Sequence, residues 1–150
     1  MACLKMILTG LEIKNAGIIT LGKKAALFEV YRVIDNAVEG MFYIPFVQFV
    51  KNQFELSAAV VSPMHIYDIV KSIQNEQFVI VSVSPSIRNV KIKPKATGGH
   101  LVVVTGYNLT KKQLFIHNPS GDTVRTQKNA PISFQDFNKF FAGRGIIITT

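Results

Sequence analysis

The residues 98–121 read GGHLVVVTGYNLTKKQLFIHNPSG, an apolar strand opened by His100 and a returning strand closed by Asn118. A histidine beside a side-chain amide is the general-base half of a thiol-hydrolase site. The amide accepts from one ring nitrogen and fixes the tautomer, and the other nitrogen takes the thiol proton. An amide suffices when the nucleophile is sulfur, because a Cys–His pair ionises readily. His100 and Asn118 are therefore the candidate base and orienting residue. Cys3, the single cysteine, is the candidate nucleophile. Gly98 and Gly99 allow close backbone approach beside the histidine and are candidate substrate-binding positions. The competing reading is a plain core hairpin with two incidental polar ends.

Strand alternation sets the test. His100, Val102 and Val104 share one face, and Leu114, Ile116 and Asn118 share one on the return strand. A turn that opposes residues of like parity puts His100 and Asn118 within roughly 5–8 Å of each other. An odd register puts His117 there instead.

The elements that must position these residues follow from pattern. Residues 2–9 read as a short helix ending at Gly10, with no Ser, Thr, Asp or Asn cap at its start. Residues 21–38 read as a second helix, with Leu27, Val30, Tyr31 and Ile34 apolar. A third begins at Pro45 and runs to residue 54. Residues 56–61 read as a strand. Ser62 and Pro63 then serve as cap and first position of a helix through residue 74. A buried strand is expected at 78–84, a Pro/Lys/Gly loop at 85–99, and strands at 100–107 and 113–118. Residues 121–129 read as a turn into a polar excursion. Ser133 caps a helix at 134–141, and residues 145–149 form a last strand. Helices followed by a mainly antiparallel sheet make an α+β class, a single domain over residues 1–150.

Composition bounds the partners. The chain has 150 residues, 48 % of them hydrophobic, enough to build a full core. Its net charge of +8 favours polyanions, a membrane surface or an acidic peptide, or is merely a basic surface. Lys91, Lys93 and Lys95 form a cationic rim on the loop leading to His100. One cysteine excludes an internal disulfide framework and a Cys-rich zinc site. His65 reads as a surface residue and His117 as structural. No two histidines and a carboxylate fall at metal-ligand spacing, so neither metal nor cofactor is expected. No apolar run reaches the roughly 18 residues of a membrane span. Lys5 and Glu12 spoil the opening as a signal peptide, so the compartment, cytoplasmic or secreted, is open.

The stretches GGHLVVVTGYN, LFIHNP and ISFQDFNKFF, with PMHIYDIVKSIQNEQFVIVSV before them, resemble the bacteriocin-processing cysteine peptidases. These bacterial papain-like domains, of peptidase family thirty-nine, remove double-glycine leader peptides. The resemblance implies a papain-like fold, His100 as base, Asn118 as its orienting residue and a peptide or leader peptide as substrate. It also implies a nucleophile in a Cys-Gly-Pro motif at the start of the first helix. CLKMIL matches the helix after that motif, with Leu4, Met6 and Leu8 on family positions. Cys3 then falls one turn late, roughly 6 Å along the axis, where about 1 Å matters for attack. The Cys-Gly-Pro and the oxyanion-hole glutamine are expected upstream of Met1, in a chain shortened at its N-terminus. The alternative is an inactive domain that binds a peptide without cutting it, and a more distant one is a basic nucleic-acid-binding domain.

Overall fold

The computed structural model describes residues 1–35, 37–38 and 40–150. In chain order the elements are α1 (Ala2–Gly10), α2 (Ile18–Ala26), β1 (Val33–Ile34), β2 (Ala37–Val38) and α3 (Tyr43–Phe54), then β3 (Ser57–Val61), α4 (Ile66–Gln74) and β4 (Phe78–Val83). After a 3-10 turn at Pro85–Arg88 come β5 (His100–Asn108), β6 (Gln113–His117), α5 (Val124–Gln127), β7 (Ala130–Ser133), α6 (Phe134–Phe140) and β8 (Phe141–Thr149). Six strands form one sheet in the order β3-β8-β4-β5-β6-β7, and every adjacent pair is antiparallel. The α+β layout read from the sequence is the one observed.

The sheet is buried on both faces because the middle stretches of its central strands, Val79–Val81, Val102–Val104 and Ile146–Ile148, are continuously apolar. On one face α1, α2 and α3 pack Leu4, Leu8, Leu21, Phe46 and Phe49 against Ile80, Val103 and Ile146. On the other, α4 and α6 pack Ile69, Phe137 and Phe140 against Val81, Val102, Val104 and Ile116. Each such fully buried side chain contributes about 1.5–3 kcal/mol relative to exposure. The two edges differ. Among the described residues β7 pairs only with β6, and it carries Pro131, opposite Phe115. β3 pairs only with β8 among the described residues.

Several helix ends depart from the sequence reading. The helix expected at 21–38 stops at Ala26, where a Schellman motif closes it. Val30 N–H donates to the Ala25 carbonyl and Glu29 N–H to that of Ala26, with Glu29 in the left-handed region at φ 57°. Val30 is then buried, Leu27 is exposed, and Val33–Ile34 pairs with Ala37–Val38 as a small hairpin. The part of that expected helix at Asn36 lies outside the described residues. In α1 Gly10 is the last helical residue, and Glu12 takes the left-handed position, with Ile13 N–H bonding the Leu8 carbonyl. Ser62 and Pro63 do not start α4. Met64 N–H is committed to the Gly143 carbonyl of β8 at 2.8 Å, so the helix begins at Ile66. His65 is its cap residue, its N–H donating to the Asp68 carboxylate at 2.7 Å. The strand β7 was hidden by its proline, which a sheet tolerates on an edge.

The hairpin β5–β6 contains the feature on which the site depends. Its loop pairs Asn108 with Gln113 and Tyr107 with Leu114, residues of unlike parity. Between Val104 and Gly106 the register shifts, and beyond it Val104 pairs with Ile116 and Val103 with His117. Thr105 is the extra residue of this β-bulge. Its hydroxyl donates to the Phe115 carbonyl at 3.2 Å and the Asn129 side-chain oxygen at 2.9 Å. The bulge reverses which residues of β5 face α4 and α6. Thr105→Val is expected to cost about 1 kcal/mol, one hydrogen-bonded hydroxyl, and to move the His100 ring signals in an NMR spectrum. An unchanged urea midpoint with unmoved signals would mean the bulge stands without its hydroxyl.

Candidate active site

His100 opens β5, opposite Val83 of β4, and Asn118 follows the last residue of β6. With the register even below the bulge, the two share a face. His100 Nε2 lies 2.8 Å from Asn118 Oδ1, and Asn118 is 1 % exposed. His117 points the opposite way. Its Nδ1 accepts from Asn129 N–H at 3.0 Å, and partial burial, with Lys128 nearby, holds its pKa below the usual value.

Asn118 is tied into its loop on both sides. Its N–H donates to the Gln127 carbonyl at 2.8 Å, and its own carbonyl accepts from Gly121 N–H at 3.1 Å. A Cβ on Gly121 would stand 2.5 Å from the Thr126 carbonyl oxygen, so glycine lets the loop close. Ser120 completes the cluster. Its N–H donates to Asn118 Oδ1 at 3.1 Å, its hydroxyl reaches the same oxygen at 3.2 Å, and Oγ lies 3.0 Å from His100 Nε2. Ser120 was not among the residues expected from the sequence. The signal for it was present, since Asn-Pro-Ser is an Asx-turn sequence with proline pre-setting the middle position.

His100 lines a cavity of about 580 Å³ between α1, the segment 40–46 and the sheet. Tyr31, Met41, Phe42, Phe46 and Leu101 make its wall largely apolar, and Arg144 is the one Lys, Arg, Asp or Glu side chain lining it among the described residues, with the Met1 ammonium bonded to Tyr31 at 3.1 Å. Gly98 and Gly99 deliver the chain to β5 with φ of +88° and +87°, which side-chain-bearing residues adopt only under strain. Gly99 faces open space on the cavity, while Gly98 is overlaid by the Arg144 guanidinium. The lysine loop encloses a second hollow of about 630 Å³, where Val90 and Ile92 stand exposed among Lys91, Lys93, Lys95 and Lys139.

Cys3 also lines the main cavity, yet its thiol is engaged elsewhere. Only 5 % of the residue is exposed, and Sγ donates to the Leu101 carbonyl at 3.3 Å. Among the described residues no hydrogen bond joins Cys3 to His100. Burial pushes the Cys3 thiol up to about 12. Thus His100, Asn118 and Gly99 are brought together at one end of the sheet, and Cys3 sits behind them within the α1 core. Among the described residues no cluster of three or more His, Cys, Asp or Glu side chains could hold a metal ion, and no helix is long and apolar enough to cross a membrane.

A helical layer on an antiparallel sheet, with a histidine and an asparagine joined at one strand end, defines the papain-like cysteine-peptidase fold. Residues 2–145 match the family described as the Peptidase_C39 like family, and the chain belongs to it. Two solved structures share its fold. The peptidase domain of Streptococcus ComA, a bi-functional ABC transporter involved in a quorum sensing pathway, superposes with a TM-score of 0.59 at 19 % identity, over 95 % of this chain and 84 % of that one. A chain from Bacillus anthracis, described as a C39-like peptidase, gives 0.56 at 16 % identity over 76 % of this chain. That match spans 62 % of the Bacillus chain. No curated protein sequence matches the chain significantly.

The folded protein is expected to leave Cys3 unmodified by iodoacetamide near neutral pH, with labelling only after denaturation. The raised thiol pKa also has a sign. Its stabilising effect is fully present below the ordinary thiol value of 9.0 and is lost as pH climbs toward about 12. Cys3→Ala should flatten that alkaline slope, at most about 1.4 kcal/mol per pH unit, in urea melts. Rapid labelling of the native protein would contradict the burial.

Proposed function

We propose that this domain binds peptides in the cavity beside α1 and hydrolyses them as cysteine peptidases do, with His100 as general base and Asn118 as the residue that orients it. The observation carrying this reading is the 2.8 Å contact between His100 Nε2 and Asn118 Oδ1 at the mouth of a largely apolar cavity. In such a reaction the imidazole takes the thiol proton and the thiolate adds to the peptide carbonyl carbon. The tetrahedral intermediate then expels the amine, which receives the proton from the imidazolium, and water cleaves the acyl-enzyme.

The attacking thiol in this reading is that of a Cys-Gly-Pro segment, which the family resemblance implies and residues 1–150 do not contain. Cys3 is a poor substitute. With its pKa at about 12, only about one thiol in 10⁵ would be ionised at neutral pH. The substrate class is a peptide, and a cut after a small pair such as Gly-Gly is the preference that the resemblance implies. Gly99 would offer its backbone to the extended peptide without a side chain in its way, whereas Gly98, expected beside it, is buried under Arg144.

The buried, committed thiol of Cys3 favours a second reading, a domain that holds a peptide without cutting it. One experiment separates the two. The full-length gene product is incubated with peptides containing Gly-Gly, and cleavage is followed by mass spectrometry alongside binding by calorimetry. Cleavage that falls by about 10²–10⁴ in His100→Ala is the expected outcome. Binding without cleavage would favour the second reading, and neither binding nor cleavage would overturn both.

A further inference from the structure

The side-chain amide of Asn118 is held in one orientation at a cost to itself. Its Oδ1 lies within hydrogen-bond distance of three groups, Ser120 N, Ser120 Oγ and His100 Nε2, whereas its Nδ2 is buried with no partner among the described residues. A buried, unpaired amide N–H is destabilising, and an arrangement that retains one needs a reason. Turning the amide over would bring Nδ2 to the imidazole, where it could donate to an unprotonated Nε2. The obstacle is Ser120. A backbone N–H can only donate, so the Asn118 atom facing it must be oxygen.

We propose that Ser120 is a positioning residue that selects the tautomer of His100. With Oδ1 pinned inward by the Ser120 N–H and hydroxyl, the ring nitrogen that meets the same oxygen must carry hydrogen. His100 therefore holds its proton on Nε2, shared between Asn118 Oδ1 and Ser120 Oγ, and keeps Nδ1 as the lone-pair nitrogen. A turned amide gives the opposite tautomer, with Nε2 accepting from Nδ2 and the proton on Nδ1, and a base nitrogen pointing the wrong way. The device deepens the hydrolase reading and rests on it only for its use, since the tautomer exists whether or not a peptide is cut.

The test uses protein labelled with ¹⁵N in its three histidine rings, in alkaline buffer where imidazoles are neutral and two-bond proton–nitrogen correlations identify the tautomer. The wild-type protein should show His100 as the Nε2–H form. Ser120→Ala keeps the backbone donor and removes the hydroxyl, so the Nδ1–H form should gain about 5-fold, the effect of one neutral hydrogen bond. Ser120→Thr should restore the wild-type pattern. A wild-type His100 protonated on Nδ1, or a Ser120→Ala spectrum identical to wild type at His100, would overturn the proposal. The same samples offered a Gly-Gly peptide distinguish the two readings. The expected tautomer without cleavage removes hydrolysis and leaves the role of Ser120 intact, and cleavage with an insensitive tautomer does the reverse.

Discussion

One inserted residue sets the geometry of the site. Because side chains alternate along a strand, the loop register at Asn108 and Gln113, carried straight down the hairpin, would turn His100 away from Asn118 and set His117 in that row. The bulge at Thr105 reverses the alternation once, so that Tyr107 pairs with Leu114 above it and Val104 with Ile116 below. The same reversal lets the lower half of β5 bury Val102 and Val104 against α4 and α6 while His100 meets Asn118. Core packing and site geometry thus depend on one register, and slipping it would forfeit both. That dual demand holds a polar pair in place far more firmly than its own hydrogen bond could.

The second constraint is the division of labour between the two faces of β5. His100 faces Asn118 and Ser120, whereas the adjacent Leu101 lies on the α1 side and gives its carbonyl to the Cys3 thiol. Neighbours in sequence therefore alternate in direction, although both reach the cavity at this strand end. α1 is anchored by Leu4, Ile7 and Leu8, and the thiol lies within that anchor. Proximity to the base does not make it reactive. Desolvation works against the thiolate and outweighs the nearby N-terminal ammonium, which favours it.

The apolar run of residues 100–107 and the Asn-Pro after β6 marked His100 and Asn118 as candidates, but left open whether His117 stood beside the histidine instead. The bulge was not legible, since Val-Thr-Gly-Tyr continues the alternation smoothly and its anchor, Asn129, lies on a distant segment. Helix ends were misplaced where a local stop outweighed apolar spacing. Leu27, Val30, Tyr31 and Ile34 fit a helical face, yet Glu29 adopts the left-handed position that glycine or asparagine usually occupies. The start of α4 was decided by Met64 bonding to β8, a tertiary contact that no capping pattern encodes. Ser120 went unnoticed although Asn-Pro-Ser signals the turn that brings its N–H and its hydroxyl onto Asn118 Oδ1.

The two borders of the sheet are unequal, and this bears on self-association. β7 is interrupted by Pro131, which cannot donate to a further strand, while β3 presents a ladder of main-chain groups unpaired on its outer side among the described residues. A protein with two open borders can polymerise, adding copies at both. With one border blunted, strand-to-strand joining between copies of this domain would use β3 twice, close on itself as a two-fold pair and leave no end from which a fibre could grow.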